Sequence, residues 1–548
     1  MQLNNTDKPI KNKIAIVRLP FFIGLSLAAG ILLGATLFGN GTTADKVTKN
    51  FTKFREIISY IDREYVDTVN INEITDYGIE QMLEKLDPHS VYIPAKEVEL
   101  AKMPLEGDFD GIGVEFLIVK DTIQVVAPII GGPSEQVGVR TGDKIVAVDG
   151  KNVAGIKITN RDVFTKLRGP RGTKVIVSVM RKGEPKPVDF TITRDKIPTH
   201  SVEVAYMIDP KTGYIKVSRF AQNTHQEFYD ALKTLKGKGM KRLMIDLRDN
   251  PGGYMEQANR MANELLGDKK LIVYTKSKDG RYDSKAVADN KGDFETGACI
   301  VLMNEGSASA SEILAGAIQD NDRGLIVGRR SFGKGLVQSP IPLSDGSELR
   351  LTISRYYTPS GRSIQKPYTS SKDYEMDFEN RFEHGELFNK DSIKFNEKLK
   401  FKTLAGRTVY GGGGIMPDVF VPFDTTFSSK YLNALYIKNI LREYALNYAN
   451  ENKAKLTSMG LPKFMETWTM SPAQEKDIIA LAAKDGIEYN DTQYKRSRVT
   501  ILNAMKAFVA RSIWREEGSY RVIHEQDEIF QKALELWNEA NNLTTTKK

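Results

Sequence analysis

The sequence has 548 residues, of which 41% are apolar and 27% charged, with a formal net charge of +8. This length gives room for three or four domains, and the positive charge is spread out, which argues against nucleic-acid binding. The single cysteine, Cys299, excludes an intrachain disulfide and is expected to be a small apolar core residue. The sequence has no His-Glu-x-x-His motif and no paired cysteines, so we predict neither a metal site nor a cofactor.

The N-terminus has the pattern of a membrane anchor. Basic residues precede the uncharged run 19–38: Lys8, Lys11, Lys13 and Arg18. Twenty helical residues span about 30 Å, the thickness of a bilayer core, and a basic flank stays in the cytoplasm. We therefore predict a cytoplasmic tail over residues 1–18 and an uncleaved transmembrane helix over 19–38. A cleaved signal peptide is the alternative.

Residues 39–105 are predicted to form a helical region. Between Phe51 and Leu86, apolar residues recur at steps of three and four. The pattern stops at residues 87–94, which read Asp-Pro-His-Ser-Val-Tyr-Ile-Pro.

Two glycine-rich motifs mark residues 106–195. Residues 109–116 read Phe-Asp-Gly-Ile-Gly-Val-Glu-Phe, and residues 142–150 read Gly-Asp-Lys-Ile-Val-Ala-Val-Asp-Gly. Together they resemble a PDZ domain, which binds a peptide as an added strand. The resemblance implies that the turn of this domain offers backbone N–H groups to the peptide's terminal carboxylate, through Gly111, Ile112, Gly113 and Val114. The simpler alternative is that Gly111 and Gly113 only permit a tight turn.

An α/β pattern occupies residues 196–430. Its apolar run 298–303 predicts a buried strand, and helix-forming residues follow from Ala310. Residues 366–402 are charged and weakly periodic, so we interpret them as an insertion or flexible excursion. Residues 431–548 are rich in helix patterns, and we expect a packed helical extension, with docking of a partner or substrate as a hypothesis.

Ser309 lies where the predicted strand passes into the helix. A side chain there is close to free backbone N–H groups and to the positive end of the helix dipole, which suits a nucleophile. The alternative is structural, because Ser309-Ala310-Ser311-Glu312 also fits a capping box.

Lys334 lies between two glycines, before a strand-like stretch. Enclosure without a counter-charge would lower its pKa and give a neutral amine that accepts a proton from a serine. Alternate strand residues share a face, so we expect Lys334, Leu336 and Gln338 to point the same way, with Gln338 holding the amine. An ordinary turn lysine is the alternative.

Residues 306–312 (Gly-Ser-Ala-Ser-Ala-Ser-Glu) and 332–338 (Phe-Gly-Lys-Gly-Leu-Val-Gln) resemble the active-site signature of the carboxy-terminal processing peptidases. These tail-specific proteases are Ser/Lys serine proteases with a PDZ domain, and they form subfamily A of peptidase family S41. The resemblance implies a ClpP/crotonase-like α/β core with Ser309 as nucleophile, Lys334 as general base and Gln338 as the residue that orients the lysine.

Three further segments carry this resemblance. Residues 246–253, Asp-Leu-Arg-Asp-Asn-Pro-Gly-Gly, imply an oxyanion hole made by the N–H of Gly252 or Gly253 with that of Ala310. Residues 411–419 resemble the segment that closes the protease core. Residues 87–94 resemble the end of the family's N-terminal helical region, which implies a homodimer as a hypothesis.

These features predict a serine endopeptidase anchored in the bacterial inner membrane by one helix. Its catalytic part would face the periplasm or another extracytoplasmic space and cleave proteins near C-termini captured by the PDZ domain. A histidine base is disfavoured, because none of the five histidines lies in a triad context. The alternative function is a membrane-tethered PDZ adaptor with an inactive protease core.

Overall fold

The computed structural model describes residues 24–26, 28–30, 43–129, 131–181, 183–289, 291–368 and 374–545. The chain divides into two compact units, residues 1–82 and 83–548. The predicted tail 1–18 and most of the predicted anchor 19–38 lie outside the described residues, apart from the helical residues 24–26 and 28–30. Within the described ranges, no helix combines the length and the apolar character that crossing a bilayer requires.

The stretch from Phe51 to Leu86, which the sequence predicts to be helical, lies mostly in two helices. They are α1 (Thr43–Glu64) and α2 (Ile71–Glu84). Helix α1 is amphipathic, yet several of its large apolar side chains are exposed to solvent, among them Phe51, Phe54 and Ile57.

The PDZ region is an antiparallel sheet in the order β3-β4-β5-β7-β8, with β6 paired to β5. Alternate residues on these strands face one core that includes Ile123, Val125 and Ile145. A separate pair, β2 with β9, joins the two ends of the region. The elements are β2 (Asp108–Gly111), β3 (Val114–Val119), β4 (Thr122–Pro128), α4 (Pro133–Gln136), β5 (Lys144–Val148), β6 (Lys151–Asn152), α5 (Asn160–Leu167), β7 (Lys174–Met180), β8 (Val188–Thr193) and β9 (Asp195–Pro198), preceded by β1 (Val91–Ile93) and α3 (Ala95–Glu106).

The α/β region is built on a six-stranded sheet in the order β10-β11-β12-β15-β16-β21, parallel except for β10. One face packs against α6, α7 and α8. The elements are β10 (Val202–Asp209), β11 (Thr212–Val217), α6 (Thr224–Gly237), β12 (Arg242–Asp246), α7 (Met255–Leu265), β15 (Cys299–Met303), α8 (Ala310–Asp320), β16 (Leu325–Gly328) and β21 (Val419–Phe420). Cys299 is fully buried on β15, as predicted.

A second sheet, in the order β1-β18-β13-β14 with β17 also paired to β18, lies in the same unit. Its further strands are β13 (Leu271–Ser277), β14 (Ser284–Val287), β17 (Leu336–Pro342) and β18 (Glu348–Tyr357). Strand β1 therefore brings the segment that follows the N-terminal helices onto the sheet that carries β17.

Of the two interpretations of residues 366–402, an insertion or a flexible excursion, the flexible excursion is wrong for the described part. Lys366 and Arg381 are both buried, and Arg381 pairs with Glu386, which also binds Arg330 of the core at 2.5 Å. This charge network holds the segment against the α/β core. Its elements are α9 (Asp377–Glu383), two short 3-10 turns (Lys390–Ser392 and Glu397–Leu399), β19 (Lys400–Lys402) and β20 (Thr408–Tyr410).

The C-terminal region is helical, as predicted, but part of it completes the core of the α/β region. Ile529, Phe530 and Trp537 pack on the second face of the six-stranded sheet, against Met244 and Ile300. The remaining helices share a core of their own. The helices are α10 (Lys430–Ile437), α11 (Ile440–Glu451), α12 (Lys453–Met459), α13 (Leu461–Thr467), α14 (Pro472–Lys484), α15 (Asp491–His524, kinked at Trp514 and Arg515), α16 (Glu528–Glu535) and α17 (Trp537–Thr545).

Candidate active site

Ser309 immediately precedes α8, as the sequence predicted. Its backbone has φ +54° and ψ −113°. This conformation is energetically unfavourable for any residue other than glycine. Ala308 and Ala310 on either side are buried, whereas Ser309 itself is partly exposed. The backbone N–H of Ser309 donates to Glu312 at 2.8 Å, so the reciprocal part of a capping box is present. A strained, accessible serine at the start of a buried helix fits both helix capping and nucleophilic attack.

The glycine turn 252–253 lies directly against Ser309. A Cβ atom built on Gly252 would be 2.7 Å from Ser309 Cβ and 2.9 Å from Ala310 N, and the φ of Gly252 is +99°. The Gly252 N–H donates to Asn250 Oδ1 at 2.9 Å. For the N–H groups of Gly253 and Ala310, by contrast, no acceptor is found among the described residues. Of the two glycines considered, Gly253 is therefore the one whose N–H is free to bind an oxyanion.

Asn250 holds this turn in place, a role that the sequence did not reveal. The backbone carbonyl oxygen of Asn250 accepts hydrogen bonds from the N–H of Ala308 at 2.9 Å and from the hydroxyl of Ser311 at 2.9 Å. Its side chain donates to Val217 O at 2.9 Å. The turn is thus fastened to the loop that carries Ser309 and to strand β11.

Glu312 joins Ser309 to the segment that carries Lys334. Its Oε2 accepts the N–H of Ser309 at 2.8 Å and that of Lys334 at 2.9 Å, and its Oε1 accepts from Gly333 N–H at 2.7 Å and Ser331 Oγ at 2.5 Å. Because one oxygen atom accepts both N–H groups, the backbones of Ser309 and Lys334 are close neighbours. Glu312 is fully buried, and burial raises its pKa to about 7 despite these four donors.

The side chain of Lys334 is in the environment that a general base requires. Burial lowers the pKa of the Lys334 amine below its usual range, and the carboxylates of Glu312 and Asp87 offset part of that shift. The buried Tyr356 hydroxyl lies 2.8 Å from the Lys334 carbonyl oxygen and 3.2 Å from that of Ser309. Glu312 of α8 and Tyr356 of β18, both buried, therefore hold the backbone at Ser309 next to the backbone at Lys334.

The strand predicted to carry Lys334, Leu336 and Gln338 is shorter and less regular than expected. Strand β17 begins only at Leu336, and a β-bulge between Val337 and Gln338 interrupts the alternation of side chains. The amide of Gln338 donates to Thr352 Oγ1 at 3.2 Å.

A histidine lies near this site, although not as part of a triad. The ring of His89 is 2.7 Å from the Tyr374 hydroxyl. Burial and the positive charge of Lys334 lower the pKa of His89 to about 4, so its ring is neutral at physiological pH. The segment 87–94 thus contributes residues beside Lys334.

The PDZ turn borders an apolar pocket that is lined by Ile112, Gly113, Val114, Phe116 and Arg168, among others. The Arg168 guanidinium lies over the rings of Phe109, at 3.9 Å, and Phe164, at 4.6 Å. Its buried Nε has no hydrogen-bond partner among the described residues. Sequence reasoning missed this arginine, which borders the pocket beside the predicted carboxylate-binding turn.

Comparison with known families agrees with this geometry. The profile of "Peptidase family S41" matches residues 211–376, and that of a PDZ domain matches residues 124–181. A family of unknown function matches residues 431–515.

The chain is also similar to curated proteins over more than half of its length. The chain is 36% identical over 354 residues to the carboxy-terminal-processing protease of Bartonella bacilliformis, covering 62% of this chain and 79% of that protein. It is 33% identical over 355 residues to carboxy-terminal processing protease CtpA of Bacillus subtilis, covering 63% and 74%. Among solved structures, the photosystem II D1 C-terminal processing protease is 27% identical, covering 71% of this chain and 89% of that one, with a TM-score of 0.35.

The chain is thus a serine-type peptidase of the S41 class. Within that class it belongs to the family of carboxy-terminal processing proteases.

Proposed function

We propose that this protein is a membrane-anchored endopeptidase that cleaves extracytoplasmic proteins near their C-termini, with Ser309 as nucleophile and Lys334 as general base. The observation that carries the proposal is the bridge made by Glu312, which binds the N–H groups of Ser309 and Lys334 through one oxygen. The N–H groups of Gly253 and Ala310, which have no acceptor in the part of the chain that the structure describes, support it.

In the proposed reaction, the neutral amine of Lys334 accepts the Ser309 hydroxyl proton as Oγ attacks the peptide carbonyl carbon. The N–H groups of Ala310 and Gly253 bind the negative oxygen of the tetrahedral intermediate. The protonated lysine then donates its proton to the leaving amine, and an acyl-enzyme forms. Lys334 next takes a proton from a water molecule as the water oxygen attacks the acyl carbon. It then donates that proton to Ser309 Oγ as the acyl C–O bond breaks, which releases the carboxylic acid product and restores the neutral lysine.

Substrate capture is assigned to the PDZ domain. The turn from Gly111 to Val114 would present N–H groups to the substrate's terminal carboxylate, with the peptide added as a strand. The nearby unpaired Nε of Arg168 supports binding of an anionic end. The rival function, an inactive adaptor, is disfavoured because the residues of the Ser/Lys signature are all present.

The cellular arrangement belongs to the same proposal. The uncharged run 19–38 would anchor the chain in the bacterial inner membrane, with the catalytic part outside the cytoplasm. The exposed side chains of Phe51, Phe54 and Ile57 on α1 support a homodimer through the N-terminal helices. Sedimentation of the purified protein and of the Phe51→Ser/Ile57→Ser variant tests the dimer, since equal masses at the monomer value would contradict it.

The proteolytic assignment is tested with matched peptides that end in a free carboxylate or in an amide. We expect cleavage of the first, slower cleavage of the second at low concentration, and no cleavage by Ser309→Ala or Lys334→Ala. Binding of both peptides without cleavage by the wild type would favour the adaptor instead.

A further inference from the structure

Gln338 is held by a chain of hydrogen bonds that begins outside the protease core. Gln338 on β17 is directly opposite Thr352 on β18, and its Nε2 donates to Thr352 Oγ1 at 3.2 Å. Thr352 Oγ1 in turn donates to Asp87 Oδ1 at 3.1 Å. Asp87 is buried and precedes β1, which pairs with β18 through Val91 and Arg350.

The direction of this chain is fixed by Asp87. Its carboxylate accepts from the Ser90 N–H at 2.9 Å and from the Ser90 hydroxyl at 2.7 Å, in addition to the N–H of His89 and the hydroxyl of Thr352. A carboxylate only accepts hydrogen bonds, so the single hydroxyl proton of Thr352 is used toward Asp87. Thr352 Oγ1 is then left as an acceptor, and only the NH₂ end of the Gln338 amide fits against it.

We propose that Asp87 and Thr352 are positioning residues that fix the Gln338 amide so that its carbonyl oxygen Oε1 is presented to the Lys334 amine. An amide flipped the other way would offer the lysine a donor, which would compete with Ser309 for the nitrogen lone pair. With Oε1 as acceptor, an N–H of Lys334 is bound, and the lone pair stays available to the serine. This inference rests on the proposed roles of Ser309 and Lys334.

The charges around Lys334 are consistent with this arrangement. Burial lowers the pKa of Lys334, Glu312 on α8 and Asp87 before β1 offset part of that shift, and Arg350 on β18 adds to it. The neutral ring of His89 lies beside the amine. Losing an acceptor for the protonated amine, or losing the charge of Asp87, would therefore lower the pKa of Lys334 further.

The test is the rate of fluorophosphonate labelling of Ser309 as a function of pH. We expect Thr352→Val and Asp87→Asn to reduce the plateau rate about tenfold, the effect of losing one hydrogen bond in the transition state. Both should also move the acidic limb to lower pH, whereas a purely structural defect would lower the rate without moving the limb. Thr352→Ser keeps the hydroxyl and should restore the wild-type profile.

Thr275→Val is the matched control. Thr275 lies on the same sheet, and its buried hydroxyl is hydrogen-bonded to Ser284 Oγ and to the Tyr282 carbonyl oxygen, so the variant also removes a bonded hydroxyl. Should Thr352→Val fail to fold, Thr352→Ala and Asp87→Asn make the same test. Labelling rates equal to the wild type, or lower rates with the acidic limb at the wild-type pH, would overturn the roles of Asp87 and Thr352 but not the proposed function. Labelling of Lys334→Ala at the wild-type rate would instead overturn the proposed function on which it rests.

Discussion

Replacing Gly252 by alanine is expected to disable the enzyme by pushing the glycine turn away from Ser309. The new Cβ would lie 2.7 Å from Ser309 Cβ, 2.8 Å from Ala308 O and 2.9 Å from Ala310 N, where ordinary contacts begin near 3.4 Å. The turn or the start of α8 must therefore move by about 0.5 Å, and alanine must also adopt a φ of +99°. Together the overpacking and the backbone strain should reduce the free energy of unfolding by about 2–4 kcal/mol.

Catalysis should be lowered as well as stability. Misplacing the oxyanion donors Gly253 and Ala310 should lower kcat about 100-fold, as loss of one such donor does. The assay is peptide turnover with urea unfolding in parallel. Gly280→Ala is the control, because Gly280 has a similar φ of +78° with open space around it, and it should keep the wild-type kcat. Wild-type turnover by Gly252→Ala would refute the placement of this turn.

Three other outcomes follow from contacts described above. Because the pKa of Glu312, about 7, lies above its ordinary 4.5, the stability it contributes is present below pH 4.5 and lost as the pH rises to about 7. Glu312→Gln should reduce the change in the free energy of unfolding, measured with urea, between pH 4.5 and about 7. The same pH dependence in the variant and the wild type would contradict the burial of this carboxylate. Arg168→Met should weaken binding of a free-carboxylate peptide about tenfold and leave that of its amide unchanged by fluorescence anisotropy, whereas equal losses for both peptides would speak against carboxylate recognition. Truncation after Ser428 should give insoluble protein in a solubility assay, because it uncovers one face of the core sheet, and a soluble, active product would show that this face needs no cover.

The sequence was sufficient to predict the local structure around Ser309. A continuous apolar strand followed by small residues and helix formers dictates both the strand-to-helix transition and the position of Ser309 before α8. In the structure the backbone of Ser309 at this transition has a φ of +54°. Such signals are local, so sequence patterns carry them.

The contacts that organise the site are long-range, and sequence patterns do not carry them. Glu312 looked like half of a capping box, but it also binds the backbone of Gly333 and Lys334. Asp87 reaches Thr352 across 265 positions of the chain. The bulge before Gln338 likewise depends on the pairing of β17 with β18, which no period in the sequence reveals.

The sequence does contain an indication that the C-terminal helices cover the core sheet. Strand β15, Cys299–Met303, is buried at every residue, and a parallel strand of this kind needs a layer on both faces. Helices α6, α7 and α8 cover one face, so another part of the chain had to cover the second. Residues 529–540 supply that layer.

The central claim is that a neutral Lys334 removes the proton of Ser309. It is tested most directly by the pH dependence of fluorophosphonate labelling in the wild type and in Lys334→Ala, with unfolding curves to show that both are folded. We predict that the wild-type rate rises with pH along a single limb whose pKa lies below that of an ordinary lysine, and that Lys334→Ala labels at least 100-fold more slowly. A folded Lys334→Ala variant that labels as fast as the wild type, with the same limb, would contradict the claim.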